Sequence, residues 1–225
     1  MPDPIDVREL TVAVLGGTGE QGQGLAYRLG DAGLPIVIGS RDPDRAGKSA
    51  AGLTAMLPDG RFEGASNGDA STRADLVIVA VPWNAHETTL RSLVDQLAGK
   101  IVVDCVNPLG FDERGPYRLD VSYGSAAEQA AAVLPRSTVV AAFHHVSASM
   151  LMDPQVTDLD MDVLVLGDDR AATDVVRDLA GLMPGTRGLY GGRLRNAGQV
   201  EAFTANLIAI NRRYKTRSSI RITGV

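Results

Sequence analysis

The chain has 225 residues, 44% of them hydrophobic and 22% charged, which allows one substantial core with a smaller appended unit and excludes a disordered polypeptide. A net charge of −5 argues against a nucleic-acid surface, which is normally basic. No apolar run reaches the roughly 18–20 residues of a membrane-spanning helix, so no membrane association is expected. The opening MPDPIDVREL lacks the layout of a secretory leader, and the single cysteine, Cys105, excludes an intrachain disulfide or a cysteine-cluster metal site. A cytoplasmic protein is expected.

Residues 1–9 read as a loose lead-in. The apolar run Val12–Leu15 predicts a strand, and a helix follows over Gln21–Asp31. Gly33 and Pro35 punctuate, Ile36–Gly39 reads as a buried strand, and Asp42-Pro43-Asp44 starts a helix over Ala46–Met56. Arg61–Ala65 predicts a third strand, Leu76–Val81 a fourth, Ala85–Leu97 a helix and Ile101–Asp104 a fifth strand. Pro108–Tyr123 reads as a long loop, then Ala126–Leu134 as a helix and Val139–Phe143 as a strand. Short continuous apolar strands alternating with helices predict an α/β fold, a doubly wound parallel Rossmann sheet. Past Met150 the reading is a strand at Val163–Gly167, a helix at Ala171–Met183, a short strand and loop at Arg187–Leu194, and a long helix over Asn196–Tyr214. These form a smaller C-terminal α/β domain, 151–225, beside residues 1–150.

The turn after the first strand carries the decisive motif. Gly17, Gly19 and Gly22 have the spacing G-x-G-x-x-G, flanked by Gly16 and Gly24. In a dinucleotide site the first glycine allows the tight turn, the second lets backbone approach a pyrophosphate, and the third lets the helix pack closely. The N–H groups at the helix start and the positive end of its dipole face the phosphates. Where NAD-preferring proteins place a carboxylate for the ribose 2′-hydroxyl, this chain has Ser40 and Arg41, with Arg45 one turn on. A hydroxyl and two guanidiniums suit a 2′-phosphate, so NADP(H) is expected. Asp42 and Asp44 read as a helix cap pointing elsewhere.

Ligands of a doubly wound sheet gather at the carboxyl ends of its strands, here Val81-Pro82-Trp83, Asn107-Pro108 and His144-His145-Val146. Trp83 reads either as a cover over the ribose or adenine or as a packed surface plate. His144 and His145 suggest acid–base work, yet no Asp, Ser or Lys accompanies them in a triad or dyad. His86 lies in another segment, at a spacing that matches no common metal site, so no metal is expected. Reductases of the 6-phosphogluconate and hydroxyisobutyrate type carry a catalytic lysine where the second domain opens. The comparable stretch here, Gly191–Asn196, has arginines, which stay protonated and shuttle protons poorly. No catalytic side chain is expected, and the partner of the nicotinamide is a hydride acceptor that needs positioning but little protein chemistry. Two other readings stay open: an NADP-dependent imine or carbonyl reductase with His144 as acid, and a non-catalytic NADP(H)-sensing module.

The stretches VAVLGGTGEQGQGLAYRL, VIGSR, VIVAVPW, KIVVD, AAFHHVSA, VLGDD and GRLRNAGQVEAFTANLIAINRRYK together resemble the NADPH-dependent reductases of coenzyme F420, the 8-hydroxy-5-deazaflavin:NADP oxidoreductases of actinobacterial type. The resemblance runs from about Leu10 to Arg221. It implies an NADP-binding Rossmann domain (1–150), a small C-terminal domain (151–225) closing a cleft over the deazaflavin, a homodimer, and reversible direct hydride transfer between NADP(H) and coenzyme F420 as co-substrate. It implies Thr18, Gly19, Glu20 and Gln21 at the pyrophosphate, Ser40, Arg41 and Arg45 at the 2′-phosphate, Val81 and Asn107 along the rest of the nucleotide, and Ala148 close to the nicotinamide. Around the deazaflavin ring it implies His144, Val146, Ala202 and Thr204. Because a deazaflavin carries two electrons as hydride, no side chain need exchange a proton, which agrees with the missing triad.

Overall fold

A computed structural model describes residues 6–225, so the first five residues of the expected lead-in lie outside the described chain. The elements run β1 (Val12–Leu15), α1 (Glu20–Asp31), β2 (Pro35–Ser40), α2 (Pro43–Met56), β3 (Arg61–Ser66), α3 (Asn67–Arg73), β4 (Leu76–Val79), α4 (Trp83–Arg91) and β5 (Ile101–Asp104). They continue with β6 (Leu109–Asp112), β7 (Gly115–Arg118), α5 (Ala126–Val133), β8 (Thr138–Ala141), α6 (Ala148–Leu151), β9 (Met161–Gly167), α7 (Arg170–Gly181), β10 (Thr186–Gly192) and α8 (Ala197–Tyr214). Eight strands form one sheet in the order β10-β9-β8-β5-β4-β1-β2-β3.

The continuous apolar runs follow from burial on both faces. Val12, Val14, Ile36, Ile38 and Ile78 pack one way against α1, α2, α6 and α7. Ala13, Leu15, Val37, Val77 and Val79 pack the other way against α3, α4, α5 and the start of α8. Successive side chains of one strand point to opposite faces, so a doubly covered strand is apolar along most of its length rather than at alternate positions.

The sheet is mostly, not wholly, parallel: β9 runs antiparallel to β8, with Val140 opposite Gly167. A parallel partner requires a crossover that returns the chain to the sheet's other end. Between β8 and β9 the chain forms one helix, α6, four residues long, so it re-enters the sheet from the end it left. The sheet therefore continues past Met150, with β9 and β10 at its edge.

Four elements, β6, β7, α3 and α6, lie where a loop or nothing was expected. β6 and β7 form a hairpin within 108–123; the Asp112 carboxylate accepts from the amides of Arg114 (2.8 Å) and Gly115 (3.1 Å), and Gly115 takes φ +116°. α3 buries only Ala70 and Ser71, too few apolar positions to register as a period, and is started by Ser66, whose Oγ accepts from the Asp69 amide at 3.1 Å. β4 and β8 each stop two residues earlier than expected, and α4 ends at Arg91 rather than Leu97.

Candidate functional site

The carboxyl ends of β1, β2 and β4 open on a cavity of about 480 Å³ lined by Thr18, Gly19, Glu20, Gln21, Ser40, Arg41, Arg45 and Val81, eight of the expected nucleotide contacts. The glycine motif builds its floor, with one change of role. The left-handed turn falls on Gly16, at φ +75°, not on Gly17. A Cβ on Gly17 would instead meet the Val14 carbonyl oxygen at 2.8 Å and Ile38 at 2.9 Å, so Gly17 is required for close packing. On Gly19 a Cβ would meet only the Gly16 oxygen, at 3.4 Å, leaving room for a phosphate against the backbone. No side chain caps α1 there, so its first amides face the cavity. Gly22 lies against the turn itself, a Cβ falling 2.6 Å from the Gly16 oxygen. Gly22→Ala is expected to cost about 1–3 kcal/mol by overpacking and to raise the Kd for NADPH, which calorimetry and nucleotide titration would check.

At the β2 end Ser40 is buried, and Arg41 and Arg45 stand exposed at the rim. Asp42 caps α2, its carboxylate accepting from the amides of Asp44 (3.0 Å) and Arg45 (3.3 Å). It nevertheless also lines the cavity, as do Asn67, Ala85 and Thr89, which the sequence did not single out. The signal for Asn67 lay in strand pairing: Ser66 registers opposite Ser40, which brings the next residue to the same rim. Thr89 gave no signal, since its place in the cavity depends on the packing of α4. Trp83 is not among the lining residues; its ring tilts over His86, centroids 5.6 Å apart.

A second group gathers at the ends of β5 and β8. The chain turns at Phe143, a non-glycine residue at φ +64°, whose carbonyl accepts from Gln21 Nε2 at 3.3 Å. This turn buries His144. Asn107 Nδ2 donates to the His144 carbonyl at 3.1 Å, and Thr204 Oγ1 donates to the same oxygen at 3.1 Å. Because a carbonyl only accepts, the Asn107 amino group is fixed there and its Oδ1 faces His144 Nδ1, at 3.2 Å. Nδ1 must then carry the proton and Nε2 a bare lone pair. Nε2 is buried without a partner among the described residues. Burial pulls the imidazole pKa down to about 4, so the ring is neutral at pH 7.

His145 faces α8 instead, its Nε2 bonding the Val200 carbonyl at 2.8 Å and its ring meeting Phe203 edge-on. Val146 is buried beside the turn, and Ala148 opens α6. Ala202 points away from Thr204, as two positions on a helix must, and lines a separate surface cavity with Tyr117 and Phe203. Thus Asn107, His144 and Thr204 come together, and Ala202 does not join them.

Behind both groups lies a buried polar layer that the sequence did not reveal. His86 Nε2 meets the Asp104 carboxylate at 2.6 Å, with both side chains fully buried, and His86 Nδ1 meets Gln129 Oε1 at 2.8 Å. Burial opposes the imidazolium, but the Asp104 carboxylate and the hydrogen bonds outweigh it and hold the His86 pKa above its ordinary value. No helix among the described residues is long and apolar enough to cross a membrane.

Known proteins resemble this chain over nearly its whole length. The family model for coenzyme F420-dependent NADP oxidoreductases matches residues 11–108. The F420-dependent NADP reductase of Methanothermobacter thermautotrophicus is 40% identical, covering 98% of each chain. The protein of the same name from Methanocaldococcus jannaschii is 37% identical, covering 96% of this chain and 99% of that one. A crystal structure from Arthrobacter sp. FB24 superposes with a TM-score of 0.80 at 29% identity, over 95% of this chain and 99% of the other.

Proposed function

The chain belongs to the F420-dependent NADP reductases, and from that premise we propose how its residues share the work of that activity. The enzyme exchanges hydride between NADP(H) and coenzyme F420, the nicotinamide and the deazaflavin supplying the redox chemistry when bound. Thr18, Gly19, Glu20 and Gln21 hold the pyrophosphate, while Ser40, Arg41 and Arg45 hold the 2′-phosphate. Val81, Asn107 and Ala148 follow the nucleotide towards the nicotinamide, and His144, Val146 and Thr204 surround the deazaflavin, while Ala202, on the other side of α8, stands apart from them. Residues 1–150 serve the nucleotide and 151–225 close the cleft.

The observation that carries this reading is the state of His144. Its Nε2 is buried with a lone pair and no proton, so the ring can accept a hydrogen bond there and has none to donate. A carbonyl or imine reductase needs an acid at that point. The cleft fits a substrate that takes hydride alone, and the protein's contribution is proximity and orientation, worth up to about 7–11 kcal/mol.

The test uses NADPH deuterated at nicotinamide C4. Mixed with enzyme and coenzyme F420, it is expected to bleach the deazaflavin's visible band and leave deuterium on the reduced ring. Label lost to solvent would overturn direct transfer. We also propose a homodimer formed through α8, where Phe203, Ile210 and Tyr214 are exposed, in a cytoplasmic enzyme.

A further inference from the structure

α8 brings two groups to the cleft: Thr204 Oγ1 on the His144 carbonyl, and the Val200 carbonyl on His145 Nε2. Between them in sequence, Glu201 points the other way and is only 2% exposed. Both of its carboxylate oxygens are used. They accept from the backbone amides of Ala126 (2.9 Å) and Ala127 (3.1 Å), in the first turn of α5. Ser125 caps the next amide of that turn, Glu128 N, at 2.9 Å. The orphan donors of one helix start are therefore satisfied partly from another helix, by a carboxylate on the favourable end of the dipole.

The groups facing this carboxylate are His86 on α4 and Asp104 on β5. Asp104 lies three residues before Asn107, and its Oδ1 accepts from the Val106 amide at 3.0 Å. One buried polar layer thus fastens both supports of His144. Asp104 fastens the strand end that leads to Asn107, and Glu201 fastens the helix that carries Thr204.

We propose that Glu201 is a positioning residue of the hydride-transfer cleft. By clamping α8 to the start of α5 it sets the height of Thr204 and Val200 over the His144–His145 turn, and so the shape of the deazaflavin subsite. It touches neither nucleotide nor ring. The inference rests on the cleft assignment given above.

Burial pushes the Glu201 carboxyl pKa up to about 7, opposed by its bonds to Ala126 and Ala127. Below that pH the protonated acid keeps one good acceptor for two amides; above it both oxygens accept. The grip on α8 therefore tightens as pH rises through about 7, while the stability contributed by this group falls over the same range, because its folded-state pKa lies above the ordinary carboxyl value.

The experiment compares wild type with Glu201→Gln, which keeps the shape but offers one acceptor and sets an N–H against the other amide, and with Glu201→Ala. In Glu201→Gln the KM for coenzyme F420 is expected to rise about tenfold, with kcat changing less and the Kd for NADPH within about twofold. In wild type that KM falls as pH is raised through about 7, and in Glu201→Gln the fall is smaller, what remains coming from the His86–Asp104 pair. An unchanged KM in both variants, or a Kd for NADPH that rises by the same factor as the KM, overturns the proposal. A wild-type enzyme that never bleaches the deazaflavin fails at the activity itself, a result separate from the behaviour of the variants.

Discussion

Replacing Arg41 and Arg45 together by alanine is expected to abolish the preference for NADPH over NADH. Both guanidiniums stand at the rim of the nucleotide cavity beside the buried Ser40 hydroxyl, and among the described residues neither makes an ion pair within the chain. Of the two acidic residues that line the cavity, Glu20 and Asp42, the one beside Arg41 in sequence, Asp42, is held by the amides at the start of α2. The positive groups are therefore free for a dianionic phosphate, while the local carboxylate is partly neutralised by the helix dipole. Charge-assisted hydrogen bonds contribute about 1.5–3 kcal/mol each, so two of them change the NADPH-to-NADH ratio of kcat/KM by roughly 10²–10⁴-fold. The loss should fall on the KM for NADPH and leave that for NADH nearly unchanged. Raising the salt concentration should weaken NADPH binding in wild type more than in the double variant, since these charges are exposed and screened. Steady-state kinetics with both nucleotides would check this, and an unaltered ratio would refute the assignment of the 2′-phosphate site.

What the sequence made legible is what local chemistry decides. β1, β2 and β5 fall where their apolar runs lie, because burial on both faces confines polar residues to the last position of β2 and of β5. Asp42 reads as a cap because its spacing from Pro43 and Arg45 is a property of one turn. The glycine motif marked the cavity, although which glycine takes the left-handed turn depends on Ala80, whose carbonyl lies 2.6 Å from where a Cβ on Gly16 would sit. That contact joins residues 64 positions apart, and nothing near Gly16 reports it. The reversal of β9 was hidden for a similar reason: its stretch Val163–Leu166 is apolar whichever way it runs, and direction is fixed by where the chain re-enters the sheet. Histidines are the extreme case. His86 and His144 look alike in sequence, but Asp104 holds the pKa of one above its ordinary value and burial beside Asn107 keeps the other neutral. Only the fold assigns their partners.

Asp104→Ala is expected to cost about 3–5 kcal/mol of stability, because it leaves the His86 imidazole buried without its counter-charge. For a chain of this size that corresponds to a fall in Tm of about 10 °C. The pH dependence is distinctive. Since the His86 pKa is held above its ordinary value in the folded protein, the pair's contribution is complete below pH about 6.5 and fades as pH rises through the folded-state pKa. Wild type should therefore lose stability on the alkaline side of that range, and the gap between wild type and Asp104→Ala should be widest in mild acid. A double replacement, His86→Leu with Asp104→Leu, removes both charges and fills part of the space. It should regain much of the lost Tm, as apolar substitutes for buried ion pairs often do. Activity should not return with it. Asp104 also bonds the Val106 amide at 3.0 Å, one residue before the Asn107 that orients His144, and a leucine cannot hold that turn. A double variant that recovers both Tm and deazaflavin reduction would show that the pair contributes stability alone. Recovery of Tm with a raised KM for coenzyme F420 would show that the buried charges are retained for the geometry of the cleft.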